Sequence, residues 1–115
     1  MAKAKLTLFV AFLPSLIGSA VAVCSGFTFA IGNQQVLGPL GDSTVSRWTV
    51  YDNNCKGVDG LTTTTNPCTQ GIFGCSPAPI FFNSYTNTFS HKTYSCSRDR
   101  VSEKCGNDVI SVCCR

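Results

Sequence analysis

Eight cysteines, the last two adjacent at Cys113 and Cys114, constrain this 115-residue chain more than any other feature. All of them, Cys24, Cys55, Cys68, Cys75, Cys96, Cys105, Cys113 and Cys114, follow an N-terminal stretch with the three parts of a secretory signal. Lys3 and Lys5 precede the apolar run from Leu6 to Ile17, and the small residues Gly18, Ser19, Ala20 and Ala22 come next. The pair Ala20 and Ala22 fits the small-x-small rule and places cleavage between Ala22 and Val23. Residues 1–22 are therefore expected to be removed, leaving 23–115 as one disulfide-stabilised domain. A membrane-spanning helix needs about 20 apolar residues. This run is shorter and is interrupted by Pro14 and Ser15, so no transmembrane segment is expected after removal of the signal.

An even number of cysteines in an exported chain predicts that all are bridged. A small domain has a modest core, and each native bridge adds about 2–4 kcal/mol, largely by restricting the unfolded chain. Metal binding would require closely spaced Cys pairs or Cys and His clusters. There is no C-x-x-C pair here and the one histidine is His91, so neither a metal, a cofactor nor thioredoxin-like redox chemistry is expected. Neighbouring cysteines do not bond to each other without strained geometry. Cys113 and Cys114 must therefore have different partners. If Asp108 to Arg115 is a strand, as Val109, Ile110 and Val112 suggest, their sulfurs project to opposite faces. One of them is expected to reach Cys24 and bring the chain ends together; the rest of the pairing is left open by the sequence.

Strand patterns dominate the remainder. Phe27, Phe29 and Ile31 alternate with Thr28 and Ala30, and Trp48 and Val50 alternate with Thr49 and Tyr51 in a segment from about Ser46 to Asp52. Ile80, Phe81 and Phe82 form a short apolar run, Thr86 to Cys96 is rich in Thr, Phe and Tyr, and Val109 to Cys114 closes the chain. Turn chemistry separates them at Gly38-Pro39, Gly41-Asp42, Gly57 to Gly60, Asn66-Pro67, Asn83-Ser84 and Gly106-Asn107-Asp108. Helical periodicity is poor, with Asp99 to Lys104 tolerating one turn at most. The expectation is an all-β or mainly β fold, a small disulfide-rich single domain with short strands and long irregular loops.

The formal charge of +3 comes mostly from the leader: without Lys3 and Lys5, seven basic residues face six acidic ones, a net charge of +1. No basic stripe is present, so nucleic acid is not an expected partner. No nucleophile elbow, zinc-protease motif or phosphate-binding loop occurs. Glu103 is the one glutamate, and Asp42, Asp59 and Asp108 are read as turn residues, so the chain is expected not to be an enzyme. The segment from Pro77 to Tyr85 is stiffened by Pro77 and Pro79, which makes Phe81, Phe82 and Tyr85 a candidate recognition surface, with Tyr85 the exposed member. The threonine run Thr62 to Thr65 is read as a polar loop open to O-linked sugar.

Several stretches carry a resemblance: Trp48-Thr49-Val50-Tyr51-Asp52-Asn53, Asn66-Pro67-Cys68, Gly71-Ile72-Phe73-Gly74-Cys75 and the ending Ile110-Ser111-Val112-Cys113-Cys114-Arg115. With these, most of the chain after the leader resembles fungal small secreted cysteine-rich proteins of the basidiomycete type. That resemblance implies an extracellular protein, sometimes effector-like toward hosts or competitors, and brings no catalytic motif. Hydrophobins also have eight cysteines, but with doublets at the second and third and the sixth and seventh; here the doublet is seventh and eighth, which argues against membership. The strand from Trp48 to Gly57 is similar to those of βγ-crystallin-like killer toxins, and Asn107-Asp108-Val109-Ile110-Ser111 approaches their calcium loop. Gly57 is one residue early and Val112 replaces the hydroxyl residue, so no calcium site is expected. The functional expectation is a secreted, non-enzymatic protein that binds an extracellular protein or a cell-wall polysaccharide. The alternatives are an antimicrobial or killer-type toxin and a wall or surface-coating protein.

Overall fold

The computed structural model describes residues 22–115, and the expected signal segment, apart from Ala22 at its end, lies outside them. Among the described residues there is no α-helix. The described residues form nine strands: β1 (Phe29–Gly32), β2 (Gln35–Leu40), β3 (Ser43–Tyr51), β4 (Gly57–Thr63), β5 (Phe73–Cys75), β6 (Phe82–Thr86), β7 (Thr93–Arg98), β8 (Lys104–Cys105) and β9 (Asp108–Cys114). One turn of 3-10 helix, Pro67–Thr69, precedes β5, with the Asn66 side chain accepting the Cys68 N–H at its start. No helix among the described residues is long and apolar enough to cross a membrane.

All pairings are antiparallel, and the sheet curls into a half-barrel. Strands β1 and β2 lie end to end along one edge of β3, and β4 occupies the other edge. The far edge of β1 meets β9, whose opposite edge is shared by β7 and the short β8. From β7 the sheet continues through β6 to β5.

The alternation of side chains in β1, β3 and β9 fills two cores, one on each face. Ile31, Val50, Val112 and Cys114 pack with Phe73, Phe82 and Tyr85 on one side. Ala30, Ile110 and Cys113 pack with Val23, Cys24 and Cys105 on the other, supported by Phe27, Tyr51 and Cys55. The second core is roofed by the segment from Val23 to Thr28, which Asn53 holds down. Its Nδ2 donates to the carbonyls of Val23, Cys24 and Phe27 at 2.9, 3.1 and 3.0 Å. A bulge at Ser111 permits this division, because the register moves from Ile31 opposite Val112 to Gly32 opposite Ile110. Ser111 donates its hydroxyl to the Ile31 carbonyl at 3.1 Å, and Ile110 rotates to the face of Cys113.

Four disulfides clamp the sheet: Cys24–Cys113, Cys55–Cys105, Cys68–Cys75 and Cys96–Cys114. Cys113 bonds within one core and Cys114 within the other, and the first of these bonds joins the doublet to Cys24. Disulfides of this density are consistent with an extracellular protein.

Several local assignments need correction: Gly38-Pro39 lies inside β2 and Asn83-Ser84 inside β6, so neither is a turn between strands. Gly57 to Gly60 is the start of β4, and the reversal lies earlier, where Asp52 Oδ1 accepts the N–H groups of Asn54 and Lys56 and Cys55 takes a positive φ of 62°. Glycine is needed at 60 for close approach, since a Cβ there would meet the Trp48 carbonyl at 2.8 Å. Thr86 to Cys96 is a hairpin rather than one strand, because the Asn87 side chain accepts the N–H groups of Phe89 and Ser90 and turns the chain. Asp99 to Lys104 forms no helical turn; Asp99 accepts the amides of Val101 and Glu103, and the chain then enters β8.

The loop closed by Cys24–Cys113 spans a separation of 89 residues and that closed by Cys68–Cys75 a separation of 7. Replacing both cysteines of the long pair with serine should lower the unfolding free energy by about 4 kcal/mol, against about 2 kcal/mol for the short pair. Urea unfolding of the two variants under non-reducing conditions checks the order; equal losses would contradict it.

Candidate functional site

A groove of about 580 Å³ opens between β3, the connection from β4 to β5, and the loop before β6. It falls within the size range of ordinary ligand sites. Trp48, the chain's single tryptophan, lines it from β3 and makes a T-shaped contact with Phe82 at a centroid distance of 6.2 Å. Ile80 and Phe81 line it from the loop, which Ser76 pins. Ser76 N donates to the Phe81 carbonyl at 2.9 Å, and its hydroxyl donates to the Pro79 carbonyl and accepts Phe81 N, both at 3.0 Å. Ile80 is exposed and Phe81 half-buried, so the loop presents apolar surface to the opening.

The rest of the lining is polar but uncharged. Asn33, Gln34, Thr44 and Ser46 contribute from the β1–β2 junction and β3, and Thr63 to Asn66 from the opposite rim. Gln34 Nε2 donates to the Ser46 hydroxyl at 2.8 Å, and Gln70 Nε2 donates to the Thr65 hydroxyl at 2.9 Å. Thr63 and Thr65 share a hydroxyl bond of 3.0 Å. These bonds orient the rim while leaving hydroxyl and amide capacity over for a ligand. No ionisable side chain is part of the lining, and Cys68 within it is bonded to Cys75.

The expected recognition surface of Phe81, Phe82 and Tyr85 is broken up by the fold. Phe81 and Phe82 both line the groove, Phe81 half-buried and Phe82 with only 8 % of its area exposed. Phe82 is a core residue, and Tyr85, expected to be the exposed member, is completely buried. The cause is a bulge at Asn83: β5 steps from Gly74 to Cys75 while β6 steps from Ser84 to Phe82. Phe82 and Tyr85, three residues apart, thus reach the same inner face. Phe82 stacks on Phe73 at 4.3 Å, and Tyr85 lies between Phe29 and Tyr94 at 5.3 and 5.9 Å.

Two aspartates read as turn residues are structural carboxylates instead. Asp59, in β4, accepts the Tyr85 phenol at 2.5 Å, the Thr88 hydroxyl at 2.7 Å, and the amides of Thr88 and Gly60 at 2.9 Å. Burial by itself would raise this carboxyl, but the donated bonds outweigh it and hold the pKa below the ordinary carboxylate value. Burial first, and then the bond to Asp59, push the Tyr85 phenol well up. Asp108 is buried, accepting Asn33 N at 2.9 Å and the Tyr51 phenol at 2.7 Å. Burial and this bond push Tyr51 up to about 12. A Cβ on Gly32 would collide with the Asp108 carboxylate, so the approach of β1 to β9 depends on that glycine.

The remaining candidates for chemistry lie apart from the groove lining. His91 is exposed in the β6–β7 turn with φ 63°. Glu103 accepts Cys24 N at 3.0 Å. Ligand atoms of Cys24, Glu103 and Cys113 lie within 4.8 Å of one another, but the two sulfurs are joined as a disulfide and do not form a metal set. Of the Thr62 to Thr65 run, Thr62 and Thr63 belong to β4, and Thr63 to Thr65 form part of the groove rim. Sequence reasoning missed Trp48 and Gln34 as site residues. The single tryptophan and the threonine run were visible separately, but nothing local said that they face one another. Comparison with family models, with curated proteins and with solved structures returns no match.

The Asp59 network makes the fold acid-sensitive with a defined sign. A depressed carboxyl contributes its stability above the unfolded value of about 4 and loses it as pH falls through the lower folded value. Asp59→Asn should therefore cost roughly 1–3 kcal/mol at pH 7 and flatten the acid limb of the stability profile. Urea midpoints at neutral and acidic pH measure both effects; a variant that tracks the parent at every pH would refute the assignment.

Proposed function

We propose that this chain is an exported, non-enzymatic recognition protein of the fungal small secreted cysteine-rich type, and that its groove takes a segment of cell-wall polysaccharide. The observation that carries this reading is the uncharged groove in which Trp48 and Phe81 are set among Asn, Gln, Ser and Thr side chains. A sugar ring presents C–H groups on its faces and hydroxyls around its edge. Aromatic area suits the faces, and side chains that both donate and accept suit the edge. Nucleic acid would need cations along the groove, and they are not part of its lining. The four disulfides and the signal-like leader are compatible with work outside the cell.

Because Trp48 is the only tryptophan, its fluorescence reports on occupancy directly. Titration with soluble glucan and chitin oligomers should shift its emission, and the protein should be retained on the matching insoluble polymer. Phe81→Ala should weaken binding by about tenfold or more, the loss expected for a central aromatic anchor. Retention that is the same in parent and variant would refute the groove as the binding site.

One observation favours a second reading, that of a membrane-active or surface-coating protein. Strand β2 exposes Val36, Leu37 and Leu40 at 64, 59 and 64 % of their full area. Exposed apolar residues grouped in this way can enter a lipid or air interface. Under that reading, liposome leakage or film formation by the parent is lost in Leu37→Asp. No leakage and no film from the parent removes it.

A further inference from the structure

The groove continues past Phe81. A second depression of about 320 Å³ shares Asn33, Ile80, Phe81 and Ser111 with the first, so the two adjoin at the Ile80–Phe81 segment and are taken together as one cleft. The two parts differ in charge. The first has no ionisable lining, whereas the second is lined by Arg98 and Asp99.

Asp99 keeps its charge, but the loop's own amides engage both of its oxygens. Its Oδ1 accepts Val101 N at 3.3 Å and its Oδ2 accepts Glu103 N at 2.8 Å, which shapes the loop between β7 and β8. Arg98, the last residue of β7, holds its guanidinium carbon 5.8 Å from the centroid of the Phe81 ring and remains exposed. Stacking on an aromatic face limits the wandering of the guanidinium and leaves its edge N–H groups available. Arginine presents these donors as a planar fork that matches the two oxygens of a carboxylate. Phe81 thus faces both parts of the cleft, lining the neutral groove and supporting the cation beyond it.

Resting on the reading of the groove as a carbohydrate site, we propose that the ligand is a polysaccharide bearing carboxylated sugars. A neutral ring occupies the part lined by Trp48 and Phe81, and the carboxylate of a uronic acid further along the chain meets Arg98. A fully neutral polymer would fill the same cleft and leave the guanidinium unpaired.

The probe pair is a soluble β-glucan and the same glucan with a fraction of its C6 hydroxymethyl groups oxidised to carboxylates, each followed by Trp48 fluorescence. The oxidised polymer should bind about three- to tenfold more tightly at low ionic strength, the range expected for a partly exposed charged pair. That preference should shrink near 1 M salt, where screening acts within about 3 Å. In Arg98→Gln the ratio of the two affinities should fall to about one, and Arg98→Lys should restore part of it. Equal affinities in the parent, or an undiminished ratio in Arg98→Gln, would overturn the carboxylate assignment while leaving the carbohydrate groove in place. Failure of both polymers to bind would overturn this assignment, and failure of chitin oligomers as well would overturn the groove reading.

Discussion

Two adjacent sulfurs at the end of a buried strand cannot serve each other, and the architecture depends on where they go instead. The pleat of β9 sends Cys113 to one face and Cys114 to the other. Cys113 takes hold of Cys24 and with it the segment that roofs the second core, while Cys114 takes hold of Cys96 in the neighbouring strand. Because β9 also pairs with β1 on one edge and with β7 and β8 on the other, it ties the two halves of the sheet into one unit. Without it, the strands on its two sides in the sheet would lack a common partner, and short hairpins alone are marginal in water.

The two arms of the curled sheet are brought together by side chains. Asp59 on β4 reaches Tyr85 on β6 and Thr88 beyond it, while Trp48 and Phe82 meet across the core. A carboxylate used in this way is costly to bury unless its oxygens are fully engaged, which the phenol, hydroxyl and amide donors accomplish. Closure by a polar cluster at one place rather than by a continuous ladder leaves room elsewhere between the arms, and the groove occupies that room.

The sequence disclosed those parts of the structure that follow from local rules. Alternation marked β1, β3 and β9, and the doublet implied bonds to opposite faces and a link to Cys24. Bulges were the chief obstacle, because a period of two carries no sign of an extra residue. Asn83 turns Tyr85 into the first core and Ser111 turns Ile110 into the second, and neither has a composition that announces it. Asp59 lay in a stretch whose glycines suggested a turn, although Gly60 is there to admit the Trp48 carbonyl. The groove was the least legible part, since it depends on bringing the β1–β2 junction, the threonine rim and the Ser76 to Phe81 loop together from distant positions.

The bond between Cys24 and Cys113 encloses nearly every described residue in one covalent ring. A protease that cuts any single peptide bond between those two positions, for instance at the exposed Phe89 tip of the β6–β7 turn, produces two chains that are still linked. Such a nick leaves the other three cross-links unbroken as well. The molecule is thus built so that damage to its backbone need not become loss of its parts.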